Sequence, residues 1–287
     1  MKKHWWKLLL VLVVVAVLGF LGYDLIASQG TFVPSRPVSK AGGSAVVAGA
    51  EGHRIAGRVY VTGAAGSAGA MVVVLHGDAP YNKPRYQYGF ASEVADAVPG
   101  TRVVALLRPG YADPYGAKSD GHRGFASGEN YTLEVTNDIA AAIEALKAQW
   151  GASKVILVGH SGGATIAANV AALHPGLVQH VFLVACPCDV PVFRRHMAEL
   201  QRNPIWLLPV HSLSPQETLD RMEKGTEVTA ISGENDPLAL PVYARDYVAK
   251  AKERGVSASM ITIPGKGHEV LDEAIVIEEI AKAVRGG

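Results

Sequence analysis

The sequence predicts an α/β fold, a mostly parallel doubly wound sheet with helices on both faces. Three observations predict it. Short apolar runs alternate along the chain with longer stretches whose apolar residues recur at helical spacing. Hydrophobic residues make up 49% of the 287 and charged residues 18%, a balance that buries a large core and excludes a mainly disordered chain. Polar, glycine-rich turns gather after the apolar runs, and open parallel sheets bind ligands beyond the carboxyl ends of their strands.

The elements follow in order. Residues 54–61 alternate loosely and read as the first strand, and 63–69 as a glycine and alanine turn. Residues 70–75 form a short apolar strand ending at His76-Gly77, 85–98 carry helical spacing, and 101–107 are the next strand. A long polar loop leads into an amphipathic helix over 131–150, with Ile139, Ile143 and Leu146 on one face. Strand 154–158 ends at Gly159, and the helix over 164–173 is stopped by His174-Pro175. Residues 180–185 are again a strand. Residues 190–224 break the rhythm: mostly helical but divided by Pro191, Pro204, Pro209 and Pro215, they predict a small cap. A strand over 227–231, a helix over 241–254, a strand over 258–263 and a helix over 269–284 close a domain assigned to 53–287.

Two segments precede it. Residues 8–23 carry no charge. As a helix, 5–23 would reach about 28 Å, close to a hydrocarbon core of about 30 Å, with Trp5, Trp6 and Tyr23 at the interfacial belts. Lys2, Lys3 and Lys7 come before the apolar run, and no basic residue follows until Arg36. Residues 1–30 therefore predict an anchor that leaves the domain outside the cytoplasm, periplasmic or extracellular. A signal segment cleaved behind Ser28 and Gly30, releasing a secreted protein, is the alternative. Residues 31–52, rich in Gly, Ala, Ser and Pro, read as a linker.

The chemistry concentrates at three turns. Gly159-His160-Ser161-Gly162-Gly163 lies between a strand and a helix, the setting of a nucleophile elbow, where glycines admit a turn too tight for side chains. A serine hydroxyl needs a base to take its proton. His268 is the best placed of the ten histidines, because it follows the last strand through the flexible turn Pro264-Gly-Lys-Gly267. His76 and His160 also flank the site. A third group must orient the imidazole, and Asp236, in the loop after strand 227–231, is the candidate, with Glu234 as alternate.

Ser161, Asp236 and His268, in that chain order and each after a strand, resemble the triad of the α/β-hydrolase superfamily. The likeness extends over residues 54–285. His76-Gly77-Asp78 resembles the family's oxyanion turn, which implies the backbone N–H groups of Asp78 and Gly162 as oxyanion donors. Arg108-Pro109-Gly110-Tyr111 is similar to a segment that follows the next strand in many members. The resemblance implies a serine hydrolase cleaving a carboxylic ester, or else a peptide or amide bond, with Tyr111 and His160 toward the substrate. An aspartate at position 78 departs from the pattern, since a carboxylate beside the oxyanion opposes catalysis unless it points away.

Other classes are poorly supported. A net charge of +1 gives no basic field for nucleic acid. No His-x-x-x-His or comparable cluster suggests a metal, and no cofactor is expected. A single apolar segment excludes a channel. Cys186 and Cys188 read as two buried thiols, a bridge across one residue being strained. The remaining alternative is a silent, membrane-tethered binding domain. The expected partners are a small-molecule ester or a short peptide or amide, and the membrane through residues 5–23.

Overall fold

The computed structural model describes residues 5–7, 9–15, 19, 42–64 and 69–286. Its strands are β1 (Ser44–Ala48), β2 (Ile55–Tyr60), β3 (Ala70–Leu75), β4 (Arg102–Leu106), β5 (Lys154–His160), β6 (His180–Val184), β7 (Glu227–Gly233) and β8 (Ser257–Ile263). They form one sheet in the order β1-β2-β4-β3-β5-β6-β7-β8. β2 runs antiparallel to both β1 and β4, and every pair from β4 to β8 is parallel. The helices are α1 (Tyr86–Ala97), α2 (Leu133–Trp150), α3 (Gly162–Leu173), α4 (Val190–Leu200), α5 (Pro215–Thr218), α6 (Pro241–Glu253) and α7 (Ala274–Arg285).

Alternation along the strands divides the core in two. In β3, Met71, Val73 and Leu75 face α2, α3 and α6, whereas Val72 and Val74 face α1 and α7. Residues 71–75 have no exposed surface, which is why the central strands read as unbroken apolar runs. Phe193, Met197, Ala198, Trp206 and Tyr243 make a third, separate cluster that joins α4 to α6 and to the 3-10 turn Pro204–Leu207.

Three sequence expectations change. Within the linker assigned to 31–52, Ser44–Ala48 is the edge strand, in register from Ser44 opposite Val59 to Ala48 opposite Ile55. An edge strand is held by its backbone ladder and contributes few side chains to the core, so its glycine-flanked composition reads as tether. The closing helix starts at Ala274 rather than 269, because the preceding residues turn so that Val270 and Leu271 plug the core. Cys186 and Cys188 are joined in a disulfide, not two free thiols.

Residues 8, 16–18 and 20–23 of the apolar segment and the cleavage candidate at Ser28 and Gly30 lie outside the described residues. No helix among the described residues is long and apolar enough to cross a membrane.

Candidate active site

Ser161 sits at the carboxyl end of β5, just before α3, with φ 53° and ψ −123°. A non-glycine residue at positive φ is strained and is held only where its surroundings leave no alternative. Here the surroundings are backbone. A Cβ at Gly159 would meet the Ala164 Cα at 2.5 Å, and one at Gly163 would meet the Leu75 carbonyl oxygen at 2.6 Å. These glycines let β5, α3 and β3 close on one another and lift the serine above the sheet.

Two loops bring its partners. His268 Nε2 lies 3.0 Å from Ser161 Oγ, and His268 Nδ1 lies 2.8 Å from Asp236 Oδ2. The other carboxylate oxygen, Oδ1, accepts from the N–H groups of Leu238 (2.8 Å) and Ala239 (3.0 Å), so the buried Asp236 is fixed at both ends. Burial pulls the His268 pKa down, but the hydrogen bond and charge of Asp236 outweigh it and leave the pKa above the ordinary histidine value. Glu234, the alternate, accepts instead from the Gly265 N–H at 2.8 Å and holds the turn that carries His268.

The oxyanion turn resolves the difficulty of an aspartate at 78. Its carboxylate is held in a cage of donors, one of them a guanidinium that offsets its charge: Arg108 Nη1 at 2.7 Å on Oδ1, and the Gly128 N–H (2.7 Å) and Tyr131 hydroxyl (2.5 Å) on Oδ2. Arg108 is itself buried between the rings of Tyr111 and Tyr131. The same carboxylate explains Gly162, because a Cβ there would stand 2.8 Å from Asp78 Cγ and 2.7 Å from the Tyr131 oxygen. Gly162 opens α3, so its N–H has no intrahelical acceptor and stays available at the positive end of the helix.

His76 orients this turn. Its Nε2 accepts from the Arg108 N–H (3.1 Å), so Nδ1 carries the proton and donates to the Gly77 carbonyl at 2.7 Å. That carbonyl shares a planar peptide with the Asp78 N–H and so fixes its direction. Burial, with Arg108 adding to it, lowers the His76 pKa to about 3, which keeps the ring neutral.

Gly77, Asp78, His160, Ser161 and His268 line one cavity of about 450 Å³. The cap supplies apolar Phe193, Met197, Trp206, Leu208 and Val210 to its far wall, with Leu238 beside them and the polar Arg194, Gln201 and Asn203 among them. The loop 108–131 supplies Pro114, Ala126, Ser127 and Glu129. Tyr111, expected to meet substrate, is corrected: it is buried beneath the oxyanion turn, edge-on to His76 with ring centroids 4.7 Å apart, and is absent from the cavity wall. Asp113, on the same loop, is buried as acceptor for the Tyr88 hydroxyl at 2.9 Å. His160 does line the cavity, as does Tyr86, whose hydroxyl lies 2.9 Å from its Nδ1, a partner that no spacing in the sequence announced.

Two groups among the described residues gather three ligating side chains within 4.8 Å: His160, His268 and Glu269, and on the surface His53, Glu134 and Asp138. In the first, Asp236 and Ser161 already engage both ring nitrogens of His268.

Comparison with known proteins bears on family and fold. A family model described as "Serine aminopeptidase, S33" matches residues 66–239. No curated protein matches by sequence. Among solved structures, Est1E from Butyrivibrio proteoclasticus is similar at 12% identity and TM-score 0.59, over 84% of this chain and 96% of that one. An esterase of Pyrobaculum calidifontis is similar at 17% identity and TM-score 0.60, over 93% and 91%. The acylaminoacyl peptidase of Pyrococcus horikoshii shares 14% identity at TM-score 0.61, over 82% of this chain and 39% of its own. At such identities the likeness is one of fold.

Proposed function

The chain belongs to the serine aminopeptidase family of α/β-hydrolases and is a serine hydrolase, and from that premise we propose that it cleaves carboxylic esters through an acyl-enzyme on Ser161. The carrying observation is the unbroken line Ser161 Oγ, His268, Asp236, at 3.0 and 2.8 Å, opening on a cavity whose far wall carries an apolar patch. Ser161 Oγ attacks the carbonyl carbon while His268 Nε2 takes its proton, and Asp236 stabilises the resulting imidazolium. The carbonyl oxygen becomes an oxyanion received by the N–H groups of Asp78 and Gly162. As the tetrahedral adduct collapses, the C–O bond to the alcohol breaks and His268 returns the proton to the leaving oxygen. Water, deprotonated by His268, then attacks the acyl carbon; the bond from that carbon to Ser161 Oγ breaks, His268 returns the proton to Oγ, and the carboxylic acid leaves.

The apolar wall of Phe193, Met197, Trp206 and Leu238 supports an ester with a hydrocarbon or aromatic group on one side. A second reading is amide or peptide hydrolysis. It is supported by the family description and by Glu129 and Glu269 on the cavity wall, which suit the ammonium of a peptide amino terminus. We further propose that residues 5–23 anchor the protein with its domain outside the cytoplasm. The uncharged run behind three lysines supports this, and the Cys186–Cys188 disulfide fits an oxidising compartment.

A fluorophosphonate probe tests the central reading: wild type is labelled and Ser161→Ala is not. An unlabelled wild type leaves a silent binding domain. A panel of ester chain lengths against aminoacyl amides separates ester from amide cleavage. Fractionation of the full chain against a chain beginning at residue 31 tests the anchor, and recovery of both in the soluble fraction overturns it.

A further inference from the structure

Beside the nucleophile, along the cavity wall, a partly buried chain of polar groups that the triad does not use connects the oxyanion turn to the loop of the base. The Gly77 N–H donates to the Tyr86 hydroxyl at 2.5 Å, and that hydroxyl lies 2.9 Å from His160 Nδ1. His160 Nε2 lies 3.4 Å from the backbone carbonyl oxygen of His268. A carbonyl has no proton to give, so the imidazole proton sits on Nε2 and faces it. His160 Nδ1 then presents a lone pair, and Tyr86 donates to it. One carbonyl thus sets every direction: Gly77 N–H to the Tyr86 oxygen, Tyr86 O–H to His160 Nδ1, His160 Nε2–H to the His268 oxygen.

The surroundings keep this order. Burial lowers the His160 pKa and raises that of Tyr86, so both side chains remain neutral near pH 7. The two rings meet edge to face with centroids 5.5 Å apart, which fixes the hydroxyl against Nδ1. His160 immediately precedes the nucleophile, and Gly77 immediately precedes the proposed oxyanion donor at 78. One relay therefore touches the turn that receives the oxyanion, the elbow, and the loop that delivers the base.

We propose that Tyr86 and His160 are positioning residues that lock the oxyanion turn and the His268 loop to one another across the elbow. This rests on the Ser161 reading above and deepens it. The two halves of the machinery sit on separate loops, after β3 and after β8, and the transition state needs both on one carbonyl at once. Misplacement of reacting groups by about 1 Å costs on the order of 100-fold in rate. A relay of neutral groups holds the loops in register without placing a charge beside the oxyanion.

The test is a double-mutant cycle on the full chain with a 4-nitrophenyl ester, using Tyr86→Phe, His160→Gln and the pair. Each single variant is expected to lose about 10- to 100-fold in kcat, less than removal of an oxyanion donor outright, with KM within about threefold of wild type. Affinity for a boronic acid, whose serine adduct is tetrahedral, falls by the same factor as kcat. The double variant is no slower than the worse single one. Undiminished kcat in Tyr86→Phe, losses that multiply in the pair, or a loss carried by KM with boronate binding intact each overturn the relay. Thermal midpoints are recorded alongside, and if Tyr86→Phe does not fold, His160→Gln decides by the same split of kcat, KM and boronate. Ser161→Ala separates the two proposals: if it stays active, the nucleophile reading fails. If it is inert while Tyr86→Phe is fully active, only the relay fails.

Discussion

Beneath Ser161, the backbones of β3, β5 and α3 approach so closely that positions 159 and 163 admit no side chain, and the triad side chains are joined by hydrogen bonds. Across the cavity, the cap is built the opposite way. It stands on the small cluster of Phe193, Met197, Trp206 and Tyr243 and is tied to the floor by Arg194, whose guanidinium donates to the carbonyls of Gly128, Ile205 and Leu208. The floor is thus fixed by backbone approach and directional hydrogen bonds, which leave almost no tolerance. The roof is fixed by side-chain volume, which tolerates repacking at modest cost. On the proposed reading, chemistry belongs to the first and selectivity to the second.

That contrast breaks if substitutions in the two regions have similar effects. The largest loss is expected for Ser161→Ala, on the order of 10⁶-fold in kcat with the thermal midpoint kept, read by ester hydrolysis and by unfolding. Asp236→Asn, which disturbs the tautomer and charge support of His268, is expected to cost about 10⁴-fold in kcat. Gly162→Ala places a methyl group against the Asp78 carboxylate and the Tyr131 hydroxyl, displacing a proposed oxyanion donor. A loss of about 100- to 1,000-fold in kcat with little change in KM is the expected reading.

Trp206→Ala, on the roof, should leave the hydrolysis of a short acyl ester nearly unchanged. It should shift the preference between short and long acyl chains by about tenfold, measured as a ratio of kcat/KM values. An equal loss for all chain lengths would remove the distinction between floor and roof.

The smallest effect is one of pH. His268 acts as base only when neutral, and its pKa lies above the ordinary value. Activity should therefore fall with decreasing pH through a midpoint above about 6.5, and the residual activity of Asp236→Asn should show that midpoint moved downward.

The sequence made the scaffold legible because burial on both faces writes itself as unbroken apolar runs. It made the triad legible because glycines, strand ends and one histidine on a free turn fall at separate, recognisable points. It misplaced Tyr111, because an aromatic residue after a strand end reads alike whether it faces the cavity or, as here, packs under it against His76. It passed over β1, whose stability lies in backbone pairing rather than side-chain pattern.

From its residues alone, the chain determined which side chains are chemically competent and at which end of the sheet they gather. These properties are local: strand, turn, helix and the residue that follows. Tertiary structure decided which donors the Asp78 carboxylate meets, whether Asp236 or Glu234 meets the imidazole, and that Tyr86 joins two loops through His160. Those outcomes depend on groups far apart in the chain competing for the same few hydrogen bonds, and only the packed molecule brings the competitors together.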